Sequence, residues 1–315
     1  MSTIEKAVEK LGKSPAQPNQ VRGAVAPDLE KGSDQSLSPE QVSPYSVESA
    51  LQSDIPVKVD LELPFARLEE MGFVTPANPR SRIAEEYRAI KRPLLKNIDG
   101  QLAEDVPNIN LIMVSSSYEG EGKTFSAINL MMSVSMEKDK TVLFVDSDIV
   151  KASAGKLLGI PNDAPGLIDL LENEQLGVEE VLLTTSLPNL RIIPAGKAHD
   201  HCNELFASER MKQLMAELSL RYPDRVIIFD APPFLQTNEA SVLASFMGQI
   251  MFVVEAEKTP PDMVKQATSQ FGRDKIVGLV LNKARNYPWD NYTQGYGYGY
   301  GYGSDRSALG GSQDA

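Results

Sequence analysis

Cysteine, histidine and tryptophan are scarce in this chain of 315 residues, which holds one cysteine, two histidines and one tryptophan. With Cys202 alone, no disulfide can form within the chain, and a reducing compartment is expected. Basic residues are also in deficit, because 31 Lys and Arg stand against 43 Asp and Glu and the formal net charge is −12. This balance disfavours nucleic acid as a partner and disfavours a broad basic surface for anionic lipid.

Long apolar runs are missing as well. No stretch reaches the roughly 20 apolar residues that a membrane-spanning helix needs. The first 14 residues lack the continuous apolar centre of a secretion signal. We therefore expect a cytoplasmic protein whose association with a membrane comes only through a partner.

Composition divides the chain into four regions. Residues 1–14 predict a short amphipathic helix that is too short to be stable alone, and a frayed terminus is the alternative. Residues 15–75 predict a disordered linker, rich in Pro, Ser, Gln and Gly over most of its length. Residues 76–286 carry the patterned segments of a folded domain, and residues 287–315 predict a flexible tail rich in Tyr and Gly.

Apolar runs alternate with helical segments through the folded domain. Nearly continuous Val, Ile, Leu and Phe indicates strands buried on both faces, as in a parallel sheet with helices on either side. The predicted strands are Leu111–Val114, Thr141–Val145, Leu190–Ile193, Val226–Phe229, Ile250–Val254 and Ile276–Leu281. The predicted helices are Arg82–Leu95 (weakened near its end by Pro93), Thr124–Glu137, Gly166–Glu172, Val178–Thr184, Leu205–Arg221, Glu239–Phe246 and about Pro261–Phe271. The predicted fold class is therefore α/β.

The strongest functional signal is the segment Ser115–Thr124, which follows a predicted buried strand and opens a helix. This is the context of a phosphate-binding loop, in which glycines let backbone N–H groups turn towards phosphate oxygens. Lys123 is predicted to reach the β- and γ-phosphates of ATP, and the Thr124 hydroxyl to bind Mg²⁺. Ser117 stands where the usual pattern has its first glycine. The predicted nucleotide-binding residues here are Ser117, Glu119, Gly120, Glu121, Gly122, Lys123, Thr124 and Phe125.

Acidic residues follow two of the predicted strands. Asp146 and Asp148 come directly after one strand, and alternate residues at a strand end can face one site. Asp230 follows another strand, where an acid can hold Mg²⁺. For each acid taken singly, a solvated turn is the alternative. In the order in which they occur, these motifs predict a P-loop nucleotide-binding fold with a metal site formed by Thr124, Asp146, Asp148 and Asp230.

Asn282 follows the last predicted strand of the domain. At that position its amide could contact the edge of a purine base. An ordinary turn asparagine is the alternative.

Together these motifs resemble those of the bacterial tyrosine kinases of capsule and exopolysaccharide synthesis, which are P-loop proteins unrelated to the eukaryotic kinase fold. The resemblance covers roughly residues 80–303 and is closest to the exosortase-associated tyrosine autokinases. It rests on the loop ending Gly120–Thr124, on the aspartate pair, on Asp230 to Pro233 and on a C-terminal tyrosine cluster. The tyrosines of that cluster are Tyr287, Tyr292, Tyr296, Tyr298, Tyr300 and Tyr302.

The resemblance implies an ATP- and Mg²⁺-dependent autokinase that phosphorylates its tail tyrosines in trans and regulates exopolysaccharide synthesis and export. Lys123, Asp146 and Asp148 would be catalytic: one aspartate accepts the proton of the incoming phenol, the other helps to hold Mg²⁺, and Asp146 is the favoured base. It also implies a membrane-bound polysaccharide co-polymerase as activator, which would bring the chain to the inner membrane. A cognate phosphotyrosine phosphatase is the remaining implied partner.

The ring-forming motif of this family is Glu-x-x-Arg-x-x-Arg, and here it reads Glu85, Arg88 and Lys91. Spacing of three places these residues near one helix face, so the resemblance implies a homo-oligomeric ring. Lysine in the last position cannot make a bidentate contact with a carboxylate. A solvated charged helix is the alternative.

Two other functions stay open. A positioning or partitioning ATPase would hydrolyse ATP without phosphorylating protein. Relatives of that kind carry an additional lysine early in the phosphate loop, where this chain has Tyr118 and Glu119. A non-catalytic adaptor would use the Gly-Tyr repeats of the tail to bind a partner without any phosphate.

Overall fold

A computed structural model describes residues 60–101, 106–197, 202–221 and 225–285. The predicted N-terminal helix, the greater part of the predicted linker and all six tail tyrosines therefore lie outside the described residues.

The described residues are organised around one seven-stranded sheet. Its strands are β1 Leu111–Ser116, β2 Thr141–Asp146, β3 Leu183–Thr184, β4 Leu190–Ile193, β5 Arg225–Asp230, β6 Gln249–Glu255 and β7 Ile276–Asn282. Their order across the sheet is β3-β4-β2-β5-β1-β6-β7. All neighbours pair in parallel except β3, which is antiparallel to β4. The predicted α/β class and the positions of all six predicted strands are confirmed. Strand β7 is largely exposed, which corrects the prediction that each strand is buried on both faces.

Helices cover the sheet. They are α1 Phe65–Glu70, α2 Arg82–Ile98, α3 Lys123–Ser135, α4 Ser153–Leu158, α5 Leu167–Glu172, α6 Val178–Val181, α7 Cys202–Phe206, α8 Glu209–Arg221, α9 Asn238–Phe246 and α10 Pro261–Thr268. Helix α2 continues through Pro93 to Ile98. The helix predicted over 178–184 is wrong in its second half, where β3 forms, and the one predicted over 205–221 is interrupted between α7 and α8. None of the helices in the described ranges has the length and apolarity to cross a membrane.

The core consists of two apolar clusters on opposite faces of the sheet. Ile112 and Val114 of β1 belong to one cluster, whereas Leu111 and Met113 belong to the other. Successive strand residues point to opposite faces, so this division shows that both faces are covered. That is why the strands contain unbroken apolar runs rather than an alternation of apolar and polar residues.

Residues 60–75 are folded, which corrects the prediction of a linker up to residue 75. Leu61 forms a parallel bridge with Thr185, next to β3. At the other end of the segment the backbone N–H of Val74 donates to Asn129 Oδ1 of α3 at 2.7 Å. Buried apolar side chains join the segment to the core (Leu61, Leu63, Leu68, Phe73 and Val74). These apolar residues are few, and the residues that they contact are remote in sequence. No helical or strand periodicity in the segment itself therefore predicts that it is folded.

Lys91 does not share an exposed face of α2 with Glu85, which corrects the predicted common face. Its side chain is only 6% exposed, its Nζ donates to the Ser133 carbonyl at 2.5 Å, and the same atom lies 2.6 Å from Glu137 Oε1. At 3.6 residues per turn, six positions rotate a side chain by about 120° from the starting direction. That rotation turns Lys91 towards α3, while Glu85 and Arg88 form an ion pair at the surface.

Candidate active site

The predicted phosphate loop and the predicted acids meet at the carboxyl edge of the central strands. The loop joins β1 to α3, and Asp146 and Asp230 are the last residues of β2 and β5. Those two aspartates are register partners in adjacent parallel strands, and Asp230 is also the partner of Val114 in β1. The topology thus assembles one site from three segments that are remote in sequence.

Glycine is required at two positions of the loop. Gly120 and Gly122 have φ of 86° and 99°, in the left-handed region that side chains with a Cβ rarely adopt. A Cβ on Gly122 would also lie 2.0 Å from Asn282 Nδ2. Because Gly122 caps the N-terminus of α3, this conformation directs the positive end of that helix to the loop.

Glu121 supports the loop from inside. Its side chain is buried, and its carboxylate accepts hydrogen bonds from the Tyr118 N–H at 2.9 Å and from the Thr259 hydroxyl. We therefore assign the Glu121 side chain to holding the loop, so that any contact with a nucleotide would come from its backbone.

The residues that follow β7 hold the same loop from the other side. Asn282 Nδ2 donates to the Glu121 carbonyl at 2.9 Å, and Lys283 Nζ donates to the Gly120 carbonyl at 2.7 Å. The sequence analysis missed Lys283, for which only its place directly after Asn282 could have been a signal. Contact of Asn282 with a base stays a prediction, since its amide nitrogen is used here by the loop.

Other predicted nucleotide-binding side chains face away from the centre of the site. The Phe125 ring packs on Phe73 with centroids 4.8 Å apart, and the exposed Glu119 carboxylate pairs with Lys151. Ser117 Oγ is buried and has no hydrogen-bond partner among the described residues. The Phe125 backbone N–H, in the first turn of α3, is therefore the group that Phe125 can offer a phosphate, whereas the Glu119 N–H donates to Gln236 Oε1 at 2.9 Å.

Lys123 and Asp148 form an ion pair at the centre of the site. Their side chains are 7% and 2% exposed. Lys123 Nζ also lies 3.5 Å from the Thr124 hydroxyl, and Thr124 Oγ1 in turn lies 3.1 Å from Ser153 Oγ. Ser153 begins α4, a helix that the sequence analysis did not predict, so its proximity to Thr124 was missed.

Asp146 is held by one backbone amide of the loop that follows β2 and by one of helix α4. Its two carboxylate oxygens accept from the N–H groups of Asp148 and Gly155, each at 3.3 Å. Burial, and after it the negative charge of Asp230, raises the pKa of Asp146 well above its ordinary value. Asp146 is thus fixed in position and biased towards holding a proton.

Asp230 is the unsatisfied group of the site. Both of its carboxylate oxygens are buried without a hydrogen-bond partner among the described residues. Burial raises the pKa of Asp230 to about 7, although the Lys123 ammonium and the Thr124 hydroxyl act in the opposite direction. Because an unpaired buried carboxylate is costly, its retention indicates a cation or a cation-bound water as its missing partner.

The oxygen atoms of this site suit a Mg²⁺ ion whose other ligands are mostly water and phosphate oxygens. Within the described ranges no group of three or more His, Cys, Asp or Glu side chains is arranged to hold a metal by itself. Mg²⁺ keeps several waters and commonly takes only one or two protein ligands beside the phosphates of a substrate. The unpaired Asp230 and the Thr124 hydroxyl meet that requirement, whereas Asp148 is occupied by Lys123.

Comparison with known proteins gives matches over this region. A family model described as an AAA domain matches residues 109–260, which include the phosphate loop and all three aspartates. Tyrosine-protein kinase YwqD from Bacillus subtilis is 26% identical over 216 residues, which cover 68% of this chain and 86% of that protein. Tyrosine-protein kinase ptk from Acinetobacter johnsonii is 31% identical over 175 residues, which cover 55% of this chain but 23% of that protein.

A solved structure gives the same result. The crystal structure of the VpsO kinase domain is 26% identical, with a TM-score of 0.52, and the match covers 65% of this chain and 100% of that domain. The kinase domain in that structure is thus matched over its whole length by about two thirds of this chain.

Proposed function

Because this chain belongs to the bacterial tyrosine kinases, we propose that it transfers the γ-phosphoryl group of ATP to tyrosine side chains, including those of its own tail. The observation that carries this proposal is the meeting of Lys123, Asp148 and the unpaired Asp230 at one sheet edge, beside a glycine-dependent loop. Assignment to the exosortase-associated subgroup stays a prediction.

The loop and the start of α3 would hold the phosphates of ATP. Positive φ at Gly120 and Gly122 supports a backbone whose N–H groups face an anion. Lys123 would exchange Asp148 for the β- and γ-phosphates, since a phosphate supplies the negative partner that a buried ammonium needs. Asn282 and Lys283 would keep the loop in its binding conformation.

Thr124 and Asp230 would hold Mg²⁺, and Asp148 would join them once a phosphate has taken its place at Lys123. Asp146, which the sequence also predicted as a ligand, is kept for proton transfer in this proposal. When bound, Mg²⁺ offsets the negative charge of the transferring phosphoryl group. The Ser153 hydroxyl lies within hydrogen-bond distance of the Thr124 hydroxyl and would orient it.

Asp146 is the proton acceptor of this proposal. A free phenol has a pKa near 10, so a positioned base is needed at neutral pH. The raised pKa of Asp146 suits that role, and a cleft of about 100 Å³ lined by Asp146, Gly155 and Lys156 offers the phenol a route. The phenolic oxygen bonds to the γ-phosphorus as the bond to the β-phosphate oxygen breaks; the proton passes to Asp146 and ADP leaves.

The proposed function also involves other protein chains. The tail of one copy would enter the site of a neighbour in a homo-oligomer, with Glu85 and Arg88 at the contact. A membrane-bound polysaccharide co-polymerase would activate the kinase and keep it at the inner membrane, and a phosphotyrosine phosphatase would reverse the reaction. This arrangement, with a role in exopolysaccharide synthesis and export, is what the resemblance to the bacterial tyrosine kinases of capsule and exopolysaccharide synthesis implies.

The test is to incubate the purified chain with ATP and Mg²⁺ and to map phosphate by mass spectrometry. We expect phosphotyrosine in the tail and none in the Lys123→Ala variant. Phe at all six tail tyrosines should remove the acceptors and spare ATP binding. ATP hydrolysis without phosphotyrosine, even with the activating partner present, would instead support the partitioning ATPase. Tail-dependent binding of a partner without any ATP requirement would support the adaptor.

A further inference from the structure

The last strand of the sheet presents an uncovered apolar face. Strand β7 pairs with β6, and no strand of the described ranges pairs with its other side. Val277, Leu279 and Leu281 alternate along it and are 36%, 60% and 64% exposed. Alternation places all three on one face. Free strand edges are normally blunted by charge, proline or a covering segment, and β7 contains neither a charged residue nor a proline.

A groove continues this face beside helix α10. Its volume is about 430 Å³. Its apolar lining comes from β6, β7 and the start of α10 and includes Val254, Pro261, Val264, Leu279 and Leu281. An apolar groove beside a free strand edge can receive a further strand, because the backbone of the edge supplies hydrogen bonds and the groove takes alternate side chains.

The chain itself supplies a segment with matching periodicity. Thirty residues follow Arg285, the last described residue, which stands three positions after the end of β7. Within them, residues 295–302 read Gly-Tyr four times, and no charged residue occurs from Asn291 to Gly303. In a strand, a period of two places four tyrosine rings on one face and four glycines on the other. Such a strand has one aromatic face and one that is almost flat.

We propose that residues 295–302 of the unphosphorylated chain add to β7 as an eighth, antiparallel strand, with their tyrosine rings over Leu279 and Leu281. At about 3.3 Å per residue, eight residues match the length of the seven-residue β7. The connection of residues 283–294 is 12 residues long, and a flexible chain of that length spans roughly 20 Å, enough to return along β7. Tyrosine is favoured in strands, and this preference offsets part of the free-energy cost of ordering the flexible glycines.

Docking in this way would hold the acceptor tyrosines away from Asp146, the proposed proton acceptor. Strands β6, β1 and β5 stand between β7 and β2, so the docked strand is about 20 Å or more from the β2 strand that carries Asp146. Phosphorylation would release the tail, because a phosphate dianion would otherwise lie against leucine side chains. Release rests on the proposed kinase function, whereas docking of the unphosphorylated tail does not.

Hydrogen exchange of the full-length, unphosphorylated chain, followed by mass spectrometry without nucleotide, tests the docking. We expect amides of residues 295–302 to exchange at least roughly tenfold more slowly than an unstructured peptide. Tyr298→Asp/Tyr300→Asp in the tail and Leu279→Asp/Leu281→Asp in β7 should each remove that protection. Since the tail substitutions change none of the residues that form the sheet β1–β7 or its helices, loss of protection in them is not an effect of unfolding.

Leu220→Asp is the matched control, because Leu220 is 78% exposed on α8 and should leave the tail protected. Exchange of the tail at the unstructured rate in the unsubstituted chain would overturn the proposal. So would protection that appears only as the protein concentration is raised, since the occupant would then be a second copy. Because no ATP is present, failure here is distinguishable from failure of the kinase proposal, and loss of protection after phosphorylation would support release.

Discussion

The Lys123 ammonium and the Asp148 carboxylate form an ion pair in which both side chains are almost completely buried. Lys123 belongs to the first turn of α3, and Asp148 to the loop that follows β2. Their contact therefore joins the phosphate loop directly to the aspartate pair. A phosphate that binds Lys123 competes with Asp148 for the same ammonium, so we expect nucleotide binding to weaken this ion pair.

Breaking this pair should cost stability as well as activity. Lys123→Met leaves Asp148 buried without a counter-charge, and we expect the free energy of unfolding at neutral pH to fall by about 3 to 5 kcal/mol. In the double variant Lys123→Met/Asp148→Asn most of that loss should be recovered, while tail phosphotyrosine stays absent. Urea denaturation of the single and double variants measures the first effect. A double variant no more stable than Lys123→Met would contradict the pairing.

Asp230→Asn should make the protein more stable in the absence of nucleotide. Burial places the folded-state pKa of Asp230 at about 7, above the value of about 4 expected in the unfolded chain. An acid whose pKa is raised on folding holds its proton more tightly in the folded state. The stabilisation of the folded state by protonated Asp230 is therefore complete below about pH 4, and it is lost as the pH rises to about 7. Asparagine carries no charge and avoids that loss.

Thermal unfolding at about pH 5 and about pH 8 checks this expectation. The rise in Tm of Asp230→Asn over the unsubstituted protein should be larger at the higher pH. Addition of Mg²⁺ and ATP should stabilise the unsubstituted protein but not the variant, because Asp230 is the unpaired ligand. An equal stabilisation of both by Mg²⁺ and ATP would remove Asp230 from the metal site.

Substitutions of Lys91 and Arg88 should have different effects, one on the stability of the fold and the other on the oligomeric state. Lys91→Ala removes the donor to the buried Ser133 carbonyl, so we expect the free energy of unfolding to fall by about 1 to 3 kcal/mol. Arg88→Ala changes a surface ion pair and should leave stability nearly unchanged while it weakens any homo-oligomer. Urea denaturation and light scattering after size exclusion give the two readouts. Unchanged stability in Lys91→Ala would contradict its assignment to the contact between α2 and α3.

Asn282→Ala should weaken ATP binding. The substitution removes the hydrogen bond to the Glu121 carbonyl, and a loss of about 1 kcal/mol corresponds to a roughly fivefold higher KM for ATP. Gln270→Ala, in the exposed turn after α10, is the control with the same loss of a side-chain amide. If Asn282 also contacts the base, the ratio of kcat/KM for ATP to that for GTP should fall. An unchanged KM would show that Lys283 alone is sufficient to hold the loop.

The amino-acid sequence determined the features whose signals are contiguous in the chain. Six strands follow from runs of branched and aromatic residues, since a strand covered on both faces needs apolar side chains in both directions, although the apolar run of β7 stands in a largely exposed edge strand. The phosphate loop follows from glycines placed where the backbone must take positive φ. Three acidic residues that end or follow predicted strands then predicted, from the sequence alone, which edge of the sheet carries the site, because parallel strands end at a common edge.

Tertiary structure alone decided how those residues are used. Nothing in the local pattern shows that Lys123 pairs with Asp148, that Asp230 lacks a partner or that Lys91 turns inward to Ser133. Strand β3 and the folding of residues 60–75 depend in the same way on partners elsewhere in the chain. Burial and pairing are properties of neighbours in space, and the free energy of a buried charge depends on which neighbour it finds.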